Sequence, residues 1–138
     1  MTVLGDRAAR VALLVLALVG FHVAAVSAAG PVRIPLDAIG NSGESGVAIL
    51  TASGSKTIVE LQMKGGPGDP QPAHFHTGTC DSYGPRPLYM LRSVVHGTST
   101  TTLDIPIEKL TAGDLVVNVH KSFDDIATVV SCSVAKPR

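Results

Sequence analysis

Two histidines one residue apart, in Ala73-His74-Phe75-His76, are the first residues of the chain that suggest chemistry. On a β-strand, residues i and i+2 leave the same face. His74 and His76 therefore stand side by side, and Phe75 turns the other way to anchor the strand. Neutral imidazole is the commonest ligand for copper and zinc, and two such groups on one face form a chelating pair. A third histidine, His120, ends the run Leu115-Val116-Val117-Asn118-Val119-His120. Leu115, Val117 and Val119 have the parity of a core face, which sends Val116, Asn118 and His120 to the opposite, outer face. Three imidazoles leaving the core make a metal site of His74, His76 and His120 the leading expectation.

Other polar groups rank lower. His96, in Val94-Val95-His96-Gly97, reads as a partly exposed histidine at a strand end; the alternative is an additional ligand or a bridge. Asp124 and Asp125 read as a solvated acidic turn, the alternative being a carboxylate that orients His120. Met63 has the parity of Val59 and Leu61 and reads as core packing, not as a ligand. No nucleophile elbow, phosphate-binding loop or Cys-x-x-Cys redox pair occurs.

The elements that must position these residues are short strands. No helical period persists over three turns, whereas alternating runs recur near Val32–Asp37, Gly46–Ala52, Thr57–Met63, Ala73–Thr77, Leu88–Val95, Thr100–Ile105, Leu115–His120 and Ala127–Val134. Turn residues separate them, as at Asn41-Ser42-Gly43, Gly65-Gly66-Pro67-Gly68-Asp69-Pro70 and Gly84-Pro85. Ser53-Gly54-Ser55-Lys56 reads as a hairpin loop, and Glu108–Thr111 as a single helical turn. Many short strands at near-regular spacing predict an all-β antiparallel sandwich or barrel.

The amino terminus reads as a secretory signal over residues 1–28. Arg7 and Arg10 precede an apolar run from Val11 to Ala25, and Val26-Ser27-Ala28-Ala29 offers cleavage after Ala28 or Ala29. The alternative is an uncleaved N-terminal membrane anchor, because the run nearly suffices to span a bilayer. Residues 30–138 then form one domain, secreted or periplasmic, with no membrane attachment after cleavage. Removing Arg7, Arg10 and Asp6 from the 11 basic and 11 acidic residues leaves a net charge near −1, which favours neither nucleic acid nor an anionic surface. Cys80 and Cys132 are the only cysteines. In an exported chain such a pair is most simply one disulfide; two soft metal ligands are the weaker alternative, since neither cysteine has zinc-knuckle spacing.

The runs Pro72-Ala73-His74-Phe75-His76-Thr77-Gly78-Thr79-Cys80, Val117-Asn118-Val119-His120-Lys121-Ser122 and Val130-Ser131-Cys132 resemble the copper/zinc superoxide dismutase superfamily. More closely, they resemble its short bacterial relatives, often grouped with CHRD-domain proteins; Asn41-Ser42-Gly43-Glu44-Ser45-Gly46 and Leu110-Thr111-Ala112-Gly113-Asp114 also fit these. The resemblance implies an eight-stranded Greek-key sandwich of immunoglobulin-like shape, copper-ligand positions at His74, His76 and His120, and a Cys80–Cys132 pair. The chain also departs from the dismutases. Only His96 lies between His76 and His120 where they carry a bridging histidine and a histidine- and aspartate-rich zinc loop. Val129 stands where their guiding arginine precedes the second cysteine, and Arg86 and Arg92 are the nearest substitutes. One copper ion and no zinc is the expectation.

The expected function is that of an exported, copper-binding, superoxide dismutase-like domain with weak dismutation of superoxide. The rivals are a non-catalytic copper carrier or CHRD-like interaction module, since a fold does not secure a function, and a three-histidine zinc hydrolase. The last needs a general base and a substrate pocket, and neither is visible in the sequence.

Overall fold

The computed structural model describes residues 30–137; the expected export signal lies outside the described residues. The strands are β1 Val32–Ala38, β2 Ser45–Ser53, β3 Lys56–Lys64, β4 Ala73–Thr77, β5 Tyr89–Met90, β6 Thr98–Leu103, β7 Leu115–His120 and β8 Val129–Val134, with one helical turn, α1 Ile107–Leu110, before β7. The all-β, antiparallel expectation holds. Among the described residues, no helix is long and apolar enough to cross a membrane.

The strands lie in the order β5-β4-β7-β8-β1-β2-β3-β6. β1 belongs to both halves: Val32–Leu36 pair with β2, whereas Asp37 and Ala38 pair with Cys132 and Ser131 of β8. β2 and β3 form a hairpin in which Ser53 faces Lys56 across Gly54-Ser55, the turn expected from the sequence. The chain then crosses to β4 at the far side of the sheet.

Alternation places the core as expected. Val59, Leu61 and Met63 of β3, Ala73 and Phe75 of β4, and Leu115, Val117 and Val119 of β7 join Ile34, Leu36, Ala48 and Leu50 in one apolar cluster. Phe75 is fully buried and meets the Tyr89 ring edge-on at 6.4 Å. It thus holds the strand segment that carries His74 and His76. Fully burying a side chain of this size contributes about 3 kcal/mol.

Three strand expectations need correction, the simplest being that the run expected at Thr100–Ile105 pairs as Thr98–Leu103. Leu88–Val95 is not one strand: only Tyr89–Met90 pair with β4, and Val94 and Val95 make isolated bridges to Gln71 and Thr98. The segment leaves the β4 edge after Leu91 and reaches β6, where the Arg92 amide donates to Thr101 Oγ1 and Ser99 Oγ donates to the Arg92 carbonyl. The two edges of the sheet are thereby tied together. The last strand begins at Val129, not Ala127, because Thr128 closes a turn onto the Asp125 carbonyl.

Candidate metal centre

β4 and β7 are paired neighbours, with His74 opposite Asn118 and His76 opposite Val116. His120 lies two residues beyond Asn118 on the same face, so the three imidazoles converge. His74 Nδ1 and His120 Nε2 face each other at 3.1 Å. His76 Nδ1 bonds the Gly84 carbonyl at 2.7 Å, which assigns the proton to that nitrogen and leaves Nε2 as a free lone pair. One ligand nitrogen from each histidine lies within 4.8 Å of the other two. With metal–nitrogen bonds of about 2.0–2.1 Å, tetrahedral closure draws the widest pair in by roughly 1.5 Å, within reach of side-chain rotation. These three residues can hold a metal ion.

The face that carries the histidines is covered. His74, His76 and His120 retain 5%, 3% and 4% of their surface, so the face opposite the core is buried, not solvated. Two loops cover it. Residues 78–84 form a small hairpin with reciprocal Thr79–Ser82 backbone bonds and a Gly78–Tyr83 bridge. Gly78 has φ +106°, and a Cβ there would lie 2.4 Å from the Ser82 carbonyl. A Cβ on Gly84 would meet Thr77 Oγ1 at 2.7 Å, so glycine lets this carbonyl reach His76. Cys80 of the same hairpin is bonded to Cys132 of β8, the pair expected. Tyr83 sets its ring against His76 at 5.0 Å.

The second cover is the loop from Lys121 to Thr128. Asp125 accepts from Thr128 Oγ1 at 2.7 Å and pairs with Lys121 at 3.2 Å, and its amide donates to Ser122 Oγ at 3.0 Å. Those hydrogen bonds, Thr128 foremost and then Lys121, hold its carboxyl below the usual range. Asp125 therefore shapes the turn that lays Ile126 and Ala127 over the site, instead of orienting His120 directly. A cleft of about 370 Å³ remains between the covers, lined by the three histidines with Tyr83, Pro85, Pro87, Ile126 and Ala127.

Beneath His120 lies a polar support that the sequence reading missed. Gln71, almost wholly buried, donates from Nε2 to the buried Glu44 carboxylate at 2.7 Å and approaches the His120 carbonyl at 3.3 Å. The His120 amide donates to Pro72 at 2.8 Å. Glu44 and Gln71 sit in turn-rich stretches, where no periodicity marks a buried polar pair. Asn118, on the face that parity predicts, stands opposite His74 in the β4–β7 ladder. It is fully buried, and neither its Oδ1 nor its Nδ2 has a partner. Among the described residues, the other buried side-chain polar atoms without partners are His76 Nε2 and His120 Nδ1. Each such group costs about 1–3 kcal/mol. All four atoms lie on the face that carries the three histidines, where a bound ion could satisfy those of His76 and His120.

His96 stands elsewhere. It is exposed, with φ +48° in the His96-Gly97 turn between Val95 and Thr98, and lines a separate cleft with Arg33, Gln62 and Lys64. Val129 faces His120 across the β7–β8 ladder, but neither it, Arg86 nor Arg92 lines the histidine cleft. No cationic side chain lines that cleft in place of the arginine.

Burial lowers the basicity of the site. Desolvation, then the charges of His120 and His76, push His74 down to about 4. His120 is lowered chiefly by burial and also by His76; the Ile126 backbone opposes this, although its geometry falls short of a full hydrogen bond to Nδ1. In the metal-free protein both rings are neutral when folded and titrate near 6.5 when unfolded. The His74 contribution is complete above pH 6.5 and is lost as pH falls toward 4, because the unfolded chain then binds more protons, and the His120 contribution is lost in the same direction. For His74 this amounts to about 3 kcal/mol. Urea midpoints measured in chelator should fall steadily from pH 7 to pH 4.5; a flat or rising midpoint would contradict the buried, neutral His74 and His120.

No family model, curated protein or solved structure matches this chain.

Proposed function

We propose that the chain is an exported copper-binding domain of the copper/zinc superoxide dismutase type, with slow copper-dependent dismutation of superoxide as its activity. The observation that carries this reading is the convergence of the His74, His76 and His120 nitrogens within 4.8 Å, with His76 Nε2 buried and unpartnered. Imidazole-only donation suits copper, and both cysteine sulfurs are committed to a disulfide. A copper ion held there would supply one-electron redox chemistry by alternating between Cu(II) and Cu(I). The Gly84 carbonyl fixes the tautomer of His76, and the Tyr83, Pro85 and Ile126 walls limit the access of water. Strand order supports the Greek-key sandwich. Counting the 91–97 segment as the β5–β6 contact, β6, β5 and β4 run in succession and β7 returns beside β4. The Cys80–Cys132 bridge supports export to an oxidising compartment.

A second reading, the non-catalytic copper carrier, is favoured by one observation: no cationic side chain lines the cleft to attract and orient an anion. The test is metal analysis followed by superoxide decay on the copper-loaded protein, with His120→Ala and matched free copper as controls. The expected result is one copper per chain and measurable turnover, well below the diffusion limit and insensitive to added zinc. Turnover no greater than that of His120→Ala leaves the carrier reading.

A further inference from the structure

The face that carries the three histidines also carries an amide. Asn118 of β7 stands opposite His74, while Cys132 faces it from β8. Directly opposed residues have Cβ atoms about 4.5–5.5 Å apart, and diagonal neighbours on the same face lie about 7–8 Å away. In this register His74 is the cross-strand partner of Asn118, His76 is a diagonal neighbour, and His120 follows two residues along β7. Asn118 is therefore adjacent to all three ligand positions. The ligand nitrogens converge between the same two strands, with His74 Nδ1 and His120 Nε2 3.1 Å apart. Asn118 does not line the histidine cleft and is wholly buried, which puts it on the sheet side of the rings.

Packing alone does not call for an amide there. Val116, the neighbouring residue of that face along β7, is apolar and just as buried. A leucine of similar shape would spare the cost of an Oδ1 and an Nδ2 without partners. A bound ion changes the balance. Imidazole ligands are neutral, so a divalent cation on three of them keeps its full charge. An amide oxygen offers that charge a lone pair at the negative end of a dipole. Carbonyl oxygen is also a hard donor, which suits Cu(II) better than Cu(I), the state that softer ligands favour.

We propose that Asn118 Oδ1 is a fourth protein donor to the ion held by His74, His76 and His120, placed on its buried side, and that it favours Cu(II) over Cu(I). The inference rests on the metal-binding reading above and adds one residue to that site. One ion would then satisfy both His76 Nε2 and the Asn118 oxygen.

The experiment compares the wild type with Asn118→Leu, which keeps the branched shape and removes both amide atoms. Affinities for Cu(II) and Cu(I) are measured separately, by competition with chelators selective for each state, and circular dichroism establishes folding. Cu(II) affinity should fall at least about tenfold, whereas Cu(I) affinity should change by less than about threefold. A selective tenfold loss of Cu(II) raises the reduction potential of the bound copper by about 59 mV, which voltammetry reads independently. Equal losses of both states would mark Asn118 as packing that shapes the histidines, and undiminished Cu(II) affinity would show that the amide does not reach the ion. Either result overturns the inference while the metal site stands. If Asn118→Leu does not fold, Asn118→Asp carries the test. It retains the oxygen and adds a charge, so the ratio of Cu(II) to Cu(I) affinity should rise about tenfold or more; an unchanged or lower ratio overturns the inference. A wild-type protein that takes up no Cu(II) overturns the metal-binding reading and this inference with it, a result that is read before any variant is compared.

Discussion

Replacing His76 by alanine is expected to abolish tight metal binding, whereas replacing His96 by alanine should leave it unchanged. His76 offers a buried, unpartnered Nε2 whose orientation is fixed by the Gly84 carbonyl at 2.7 Å. His96 is exposed in a turn that lines another cleft. Loss of a residue that merely orients a ligand costs about 10–100-fold in affinity, so loss of a ligand should cost more than about 100-fold. Competition with a chelator of known affinity measures both variants, with circular dichroism to establish that they remain folded. Equal losses would show the ligands to be misassigned, and unchanged binding in the His76 variant would place the site elsewhere. Acid should release the metal later than it would from free imidazoles. Protons compete for the same nitrogens, but burial holds His74 near 4 and lowers His120.

Reduction of the single disulfide is expected to have the second large effect. Cys80 and Cys132 are 52 residues apart in sequence, and no free cysteine remains. Closing a loop of that length contributes about 4 kcal/mol in the chain-entropy model. In a domain of this size, that corresponds to a fall of roughly 15–25 °C in the melting temperature. Thermal unfolding of the metal-free protein with and without reductant measures the loss, and intact mass after alkylation counts the thiols. Two alkylatable thiols in the unreduced, unfolded protein would remove the bridge. The effect should also reach the metal. The hairpin that Cys80 anchors carries both the Gly84 carbonyl bonded to His76 and the Tyr83 ring beside it. Cys132→Ser should therefore weaken copper binding even under conditions where the variant is fully folded.

Alternation made the sheet legible from the sequence. Val59, Leu61 and Met63, or Leu115, Val117 and Val119, could be assigned to the core without neighbours, because parity is a local property. The same rule turned His74 and His76, and separately His120, away from the core; that they meet depends on the pairing of β4 with β7. The rule was silent on whether the face away from the core meets water, since the covers come from residues 78–88 and 121–128, which have no period. Leu88–Val95 looked like a strand because its apolar residues are real; Leu91 and Val94 are buried. They are buried by a crossing between edges, however, and not by a continuous ladder. Glu44 and Gln71 were illegible for a related reason. They meet across 27 residues of chain, and only the fold makes them partners.

That crossing between edges also bears on how the molecule behaves in company. Thr98–Leu103 is rich in β-branched residues and lies at the end of the sheet, the kind of strand that recruits a strand from another chain. Here Thr101 and Ser99 already bond the Arg92 backbone, and Val95 is bridged to Thr98. At the opposite end β5 is only two residues long. An incoming chain would have to displace residues 91–97, held against this edge by the Ser99 and Thr101 hydroxyls, to reach the β6 backbone, and would gain very few bonds at β5. The segment that interrupts the expected fifth strand thus acts as a guard against edge-to-edge polymerisation.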